Sequence, residues 1–226
     1  MNIAIIPARI GSQRLVKKNI KLFLGKPIIY YAIYQAKKSN LFDKVLVSTD
    51  SVKIKKISEK YGAEVPFIRP KKLSNNKIHF NHSIKHMINW LEKKNVVIDN
   101  VCCIYPTSPL LDSSYLIKGY KSLKKNKNFI FSACKYRSPP QRGFFFKEKK
   151  LLLIDKKSYT KRSQDLVDTF HDAGQFYWGT KKNWLSGDKI LNQNSSIIEI
   201  PYLNFIDINY LSDWKIAETL FKLRIK

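Results

Sequence analysis

Short runs of apolar residues alternate with stretches of helical periodicity through the first 135 residues, and few architectures accept that alternation. Asn2 to Ala8 is apolar apart from its first residue, the pattern of a buried strand, and the polar segment Arg9 to Asn19 follows it. From Pro27 onward, Ile28, Ile29, Ala32, Ile33 and Ala36 share one helical face, and this helix should stop near Asn40. Val45 to Thr49 reads as the second strand, Asp50 or Ser51 as a helix cap, Ile54 and Ile57 as the buried helix face and Gly62 as the C′ residue. A third short strand is expected over Glu64 to Ile68, a helix over His82 to Lys93 and a fourth strand over Val101 to Tyr105. A helix capped by Asp112 and a fifth strand over Phe129 to Lys135 complete the series. Strands joined by helices pair in parallel, so the pattern predicts an α/β fold: a Rossmann-like, mostly parallel sheet with helices on both faces. Such sheets take ligands outside the carboxyl ends of their strands, which puts Arg9 to Asn19 at the ligand-binding edge.

The rhythm breaks from Tyr136 to about His171. Pro139-Pro140 blocks regular structure, and Phe144 to Phe146 with Leu151 to Ile154 flank the polar Lys147 to Lys150 as a hairpin would. Strands that are apolar on both faces need cover on both. Residues 136–171 are therefore expected to be an inserted arm that makes a homodimer contact, within a single domain spanning residues 1–226. The core resumes at Gln175 to Trp178 and continues through Ile197 to Ile200 and Phe205 to Ile208. A last helix from Ser212 turns Trp214, Ala217, Leu220 and Phe221 inward.

Composition narrows the function classes. With 226 residues, 44% hydrophobic and 26% charged, the chain can bury one α/β core and still carry an appendage. No apolar stretch is long enough to span a membrane, and the opening MNIAIIPARIG lacks the basic lead of a signal peptide, so a cytoplasmic location without a membrane partner is expected. Cys102, Cys103 and Cys134 fall in no CxxC or zinc-type spacing and read as buried reduced thiols. The net charge of +25 suits nucleic acid, anionic surfaces or small anionic substrates alike. Its lysines are spread along the chain, whereas single-strand binding needs a basic groove lined with stacking platforms, so no nucleic-acid partner is expected. His79, His82 and His86 share a helix face but have no nearby carboxylate or thiol to complete a zinc site, and they read as partly solvated helix residues.

The segment Ala8-Arg9-Ile10-Gly11-Ser12-Gln13-Arg14-Leu15-Val16-Lys17-Lys18-Asn19 carries the chemistry. It places four basic residues, a glycine and a serine directly after a buried strand. A triphosphate needs fixed donors around several oxygens: Gly11 allows close backbone approach, Ser12 offers a hydroxyl, Arg9 a bidentate fork and Lys18 a point charge. The loop follows neither the GxxxxGK pattern of a Walker loop nor the GxGxxG of a dinucleotide site.

These residues resemble the signature of the acylneuraminate cytidylyltransferase family, approximately ARxGSKxxxxKN. The resemblance continues at Val47-Ser48-Thr49-Asp50, Phe67-Ile68-Arg69-Pro70 with Leu73-Ser74, and Tyr105-Pro106-Thr107-Ser108-Pro109. It ends with Arg162-Ser163-Gln164-Asp165 and Asp207-Ile208-Asn209, so it covers nearly the whole chain. Within that family, His171 to Gly179 and Gln141-Arg142 look like the branch acting on pseudaminic acid. The sialic acid branch has an arginine-x-asparagine-glycine pattern where His171-Asp172-Ala173-Gly174 stands here.

The resemblance implies the nucleotide-diphospho-sugar transferase type of sheet and one reaction, attack of the anomeric hydroxyl of a nine-carbon sugar acid on the α-phosphate of CTP with magnesium present. It assigns Arg9 and Lys18 to the phosphates and to catalysis. Gly11, Ser12, Asn19 and Arg69 would complete the nucleotide site. Tyr105, Ser108, Gln141, Arg142, Arg162 and His171 would surround the sugar, with Arg162 reaching a neighbouring subunit. Two departures stand in the loop, Gln13 for a lysine and Val16 for a proline. A third puts Asn209 in place of the second aspartate of the family's magnesium-binding Asp-x-Asp, leaving Asp207 as its carboxylate. The rival readings keep the chemistry on N-acetylneuraminic, legionaminic or a deoxyoctulosonic acid, or replace it with non-catalytic binding of anions or nucleic acid.

Overall fold

The computed structural model describes residues 1–75, 78–126 and 128–224. Lys127 lies outside them. In chain order the elements are β1 (Asn2–Ala8), the short ladder strands β2 (Leu22–Phe23) and β3 (Lys26–Pro27), α1 (Ile29–Lys38), β4 (Lys44–Thr49) and α2 (Val52–Lys60). Then come α3 (Phe80–Glu92), β5 (Asn100–Ile104), α4 (Ser113–Asn126), β6 (Ile130–Lys135) and the hairpin of β7 (Phe144–Lys147) and β8 (Lys150–Leu153). β9 (Phe170–Thr180), α5 (Lys181–Ser186), β10 (Ser196–Glu199) and α6 (Leu211–Arg224) finish the chain.

Six strands form the main sheet in the order β10-β6-β9-β5-β1-β4. Side chains alternate across a strand, and β1 shows what that does here. Ala4, Ile6 and Ala8 point to the face covered by α1, α2 and α4, where they meet Ile29, Ile33, Ile54 and Leu116. Ile3 and Ile5 point to the opposite face, against Ile84, Met87, Ile88 and Leu91 of α3 and Trp184 of α5. With both faces covered, β1 has no polar face, as its uninterrupted apolar run requires. A third cluster joins Trp214 and Ala217 of α6 to Phe23, Ile28 and Tyr31, and so ties the end of the chain to the segment after the β1 loop.

Three differences from the sequence expectations have physical causes. Glu64 to Ile68 is not a strand: only Glu64 and Ile68 bridge to β4, opposite Leu46 and Thr49, because Pro66 between them has no N–H to donate. β9 is a single 11-residue strand that runs antiparallel to both β5 and β6, so the sheet is mixed; the other five strands share one direction, which keeps it mostly parallel as expected. Phe170 and His171 therefore belong to the sheet and not to the excursion after β6. Phe205 to Ile208 is irregular; it follows a 3₁₀ turn at Tyr202–Asn204 and leads into α6.

α4 lies close on β9 through Gly119, where an added Cβ would come within 2.8 Å of Trp178 Cδ1. The indole uses that closeness, donating from Nε1 to the Leu116 carbonyl at 3.1 Å. Cys102, Cys103 and Cys134 are buried free thiols, and burial raises the pKa of each.

Candidate active site

The loop leaving β1 is held closed by side chains of its neighbours. The Ile10 N–H donates to Asp50 Oδ1 at 2.9 Å, pinning the loop to the end of β4, and the buried Asn19 donates from Nδ2 to the Arg9 carbonyl at 2.8 Å. A turn closed by Lys18 N–H to Leu15 O, with Lys17 at φ 52, swings Lys18 back over the sheet edge. There the Lys18 ammonium donates to the Ile208 carbonyl at 2.6 Å. Burial lowers its pKa, with Asp207 opposing and Arg14 and Arg9 adding to the depression.

Arg69 is more deeply set, at 4% exposure. Its Nε donates to Ser74 Oγ at 3.1 Å, and its Nη1 to Ser48 O, Ser48 Oγ and Ser83 Oγ at 3.2, 3.3 and 2.8 Å. Burial pulls its pKa down, Asp50 opposes this and Arg9 reinforces it. A buried guanidinium is costly unless its donors are engaged, and three serines from three segments engage Nε and Nη1.

Above these groups opens a cavity of about 620 Å³. Arg9, Ser12, Lys18, Asn19 and Arg69 all line it, as does Tyr105, and Asn209 closes one side. Its lining contains four basic side chains, Arg9, Arg14, Lys18 and Arg69, and no carboxylate among the described residues. Like charges gathered at the end of a sheet repel one another, so the arrangement is at its most favourable with a polyanion inside. Gly11 does not line the cavity: a Cβ there would meet nothing within 4 Å.

Asp207 and Asn209 lie beside Lys18. Asn209 Nδ2 donates to Asp207 Oδ2 at 2.6 Å, while Ile208 between them is buried. The two side chains do meet, but through an irregular bend rather than through strand geometry. Asp213, the third residue of α6, accepts from the N–H groups of both Asn209 and Tyr210 at 2.8 Å, the acidic half of a capping box. Those bonds, chiefly that of Tyr210, hold its carboxyl below the usual carboxylate range.

The other sequence-predicted residues lie outside the cavity lining. Ser108 is buried, with its hydroxyl 3.5 Å from the Gly174 carbonyl. Gln141 donates to Val167 O and Thr169 Oγ1, at 3.0 and 2.6 Å. Arg142 donates to Ser163 Oγ at 3.0 Å, and Arg162 grips Asp165 at 2.8 and 3.2 Å. The His171 ring sits between Tyr136 and Phe205, at 4.8 and 5.1 Å. Within one chain these residues organise the excursion and the sheet edge around the cavity. Sequence reasoning missed Asp50 and Ser83. Asp50 was legible within the Val47 to Asp50 motif, but Ser83 has no local signal because its role depends on how α3 docks.

Asp213→Ala should destabilise the chain at neutral pH by about 1 kcal/mol, the usual size of a lost cap interaction. The depressed carboxyl stabilises the fold above its unfolded pKa, and that contribution is lost as pH falls through the folded value. Denaturant titrations of parent and variant should therefore converge in acid; a gap that persists there would contradict the assignment.

A family model described as Cytidylyltransferase matches residues 3–203. The chain is 41% identical over 224 residues to the pseudaminic acid cytidylyltransferase of Campylobacter jejuni serotype O:2, covering 98% of this chain and 97% of the relative. It is 28% identical to the N-acylneuraminate cytidylyltransferase of Escherichia coli, over 96% of this chain and 51% of that one. Among solved structures, a CMP:2-keto-3-deoxy-manno-octonic acid synthetase complexed with CTP shares the fold with a TM-score of 0.74, at 12% identity over 99% of each chain. The chain belongs to the cytidylyltransferase family, and it is a nucleotidyltransferase.

Proposed function

We propose that the chain transfers CMP from CTP to the anomeric hydroxyl of a nine-carbon acidic sugar, pseudaminic acid, with release of pyrophosphate. The observation that carries this reading is the cavity at the end of β1, with four cations, no carboxylate among its described lining residues and about 620 Å³ of space. The full-length relative named for pseudaminic acid supports the choice of sugar. His171 and Ala173, which stand where the sialic acid branch has arginine and asparagine, agree with it.

In this reading Arg9 and Lys18 neutralise the phosphates as charge builds on the leaving pyrophosphate. Ser12 and the loop backbone orient them, and Arg69 fixes the nucleotide from below through the one guanidinium nitrogen not given to serines. Asn19 acts through the loop, whose ends it ties together. Pyrophosphate release should appear with CTP and pseudaminic acid, and at least tenfold less with other nucleoside triphosphates or with N-acetylneuraminic acid, the discrimination expected when buried polar groups lose their partners. Equal rates with all triphosphates, or none with any acidic sugar, would remove the proposal.

Magnesium belongs to the same reading. Asp207 and Asn209 supply one carboxylate and, after a half-turn of the amide now donating to Asp207, one carbonyl oxygen. Hard oxygens suit magnesium, which is commonly held by one or two carboxylates together with substrate phosphates, so this donor set fits an ion carried largely by the nucleotide. When bound, the ion supplies charge neutralisation at the phosphates. Asn209→Asp should lower the magnesium concentration for half-maximal rate and raise metal affinity in calorimetry; an unchanged requirement would remove the placement.

The reading extends to a homodimer in the cytoplasm. The hairpin of β7 and β8 leaves Phe144, Phe146, Leu151 and Ile154 exposed at 56, 68, 52 and 59%, an apolar surface suited to a second copy. Arg142 and Arg162, on the same excursion, would then serve the neighbouring cavity. Buried thiols suit a reducing compartment. No helix of the described residues is long and apolar enough to cross a membrane. Sedimentation at micromolar concentration should give twice the 26.5 kDa chain mass, and a monomer there would dismiss the arm as a contact.

A further inference from the structure

The cavity wall is divided by charge. Arg9, Arg14 and Lys18 all come from the β1 loop. The stretch from Leu73 to Ser83 instead brings Leu73, Ile78 and Phe80 to the lining and, among the described residues, no lysine, arginine or carboxylate. A chain of phosphates belongs against the first side, and a flat uncharged ring against the second.

Arg69 lies beneath that second side, and its bonds set the state of a hydroxyl. Ser83, on α3, is only 4% exposed and lines the cavity. Its Oγ accepts from Arg69 Nη1 at 2.8 Å. Arginine can only donate, so this bond occupies a lone pair of the serine and leaves its hydrogen free. Ser83 donates to no group among the described residues. The other two serines on Arg69 differ: Ser74 passes its hydrogen to the Pro70 carbonyl at 3.2 Å, and Ser48 is buried outside the cavity lining.

Two consequences follow from that one bond. A hydroxyl that accepts from a cation is polarised towards donation, so Ser83 faces the cavity as a donor. Arg69 has also spent Nε and Nη1 on the serines, and Nη2, on the same guanidinium carbon, is the nitrogen left over. Two donors therefore stand close together on the uncharged side, and a buried donor without an acceptor is costly until one arrives.

We propose that Ser83 reads the base of the nucleotide: its hydroxyl, oriented by Arg69, donates to the ring nitrogen N3 of cytosine while Arg69 Nη2 meets the neighbouring carbonyl oxygen O2. The carbonyl oxygen carries the larger negative charge and draws the guanidinium, and the neutral hydroxyl takes the ring nitrogen. Uracil carries a hydrogen on that nitrogen, so donor would face donor. The inference rests on the CTP-dependent reading above and names a residue behind its nucleotide preference.

The test is calorimetry of the full chain with magnesium and without sugar, comparing CTP with its 3-deaza analogue, in which a C–H replaces N3. The parent should bind the analogue about tenfold more weakly, the scale of one lost hydrogen bond that leaves a buried donor unpaired. Ser83→Ala, its folding checked by thermal denaturation, should bind CTP about tenfold more weakly than the parent does, and should bind the two nucleotides within about twofold of each other. Should Ser83→Ala fail to fold, Ser83→Cys takes its place with the same expectation, since a thiol donates only weakly. A parent that binds both nucleotides equally would overturn the proposal. So would a folded variant that keeps the parent's preference for CTP, by showing that Ser83 acts only in holding Arg69. A parent that gives no heat with CTP overturns the underlying reading itself, a failure visible before any variant is made.

Discussion

Two hydrogen bonds close the bend that follows β1, one from the Ile10 N–H to Asp50 and one from the Asn19 amide to the Arg9 carbonyl. Neither partner carries positive charge, and neither needs to meet a substrate for its effect to be felt. Asp50 ends the neighbouring strand pair, since β4 lies beside β1 in register, Ala8 opposite Thr49. Parallel pairing thus delivers the carboxylate to the spot where the bend begins. Without these two anchors a polar, basic segment would have no reason to keep one shape, and cations without fixed positions would have to be ordered at the moment of binding.

Burial and charge are opposed across this site, and the structure resolves the conflict differently at each cation. Arg69 engages Nε and Nη1 internally on Ser48, Ser74 and Ser83 and so remains a fixed charge below the cavity. Lys18 gives one bond to Ile208 and stays within reach of Asp207, which couples the β1 loop to the bend before α6. α6 is in turn anchored at its far end, where Arg224 donates to the Leu110 carbonyl at 2.5 Å and contacts Asp112. The last helix therefore spans from the cavity rim to the start of α4.

Much of this was legible in the sequence because hydrophobic period reports burial directly. β1 was readable residue by residue, since a strand covered on both faces has no polar alternation to blur its limits. α1 and α3 were readable from faces that burial then filled, Ile29, Ala32, Ile33 and Ala36 in one and Ile84, Ile88 and Leu91 in the other. The direction of β9 was not, because apolar runs look the same in parallel and antiparallel strands, and the antiparallel choice follows from its joining β6 by an excursion rather than by a covering helix. Pro66 was a local sign that Glu64 to Ile68 could not sustain a ladder, outweighed by the apolar residues around it. In the site, Arg9 and Lys18 could be found by type and spacing, and Arg69 only through the resemblance of its motif. The placing of Tyr105 against Tyr177 could not, since it arises only when β9 is laid beside β5.

That antiparallel placement carries a consequence for the excursion itself. β6 and β9 are adjacent, with Lys135 opposite Phe170, so the 34 residues between them leave and re-enter the sheet at neighbouring points. In topological terms the whole projection is an enlarged hairpin turn. Closing a longer loop costs only slowly more entropy, so its size can vary without disturbing a single strand crossing. The scaffold that grips the nucleotide and the projection that reaches outward are in this sense separable, joined through a gateway one residue pair wide.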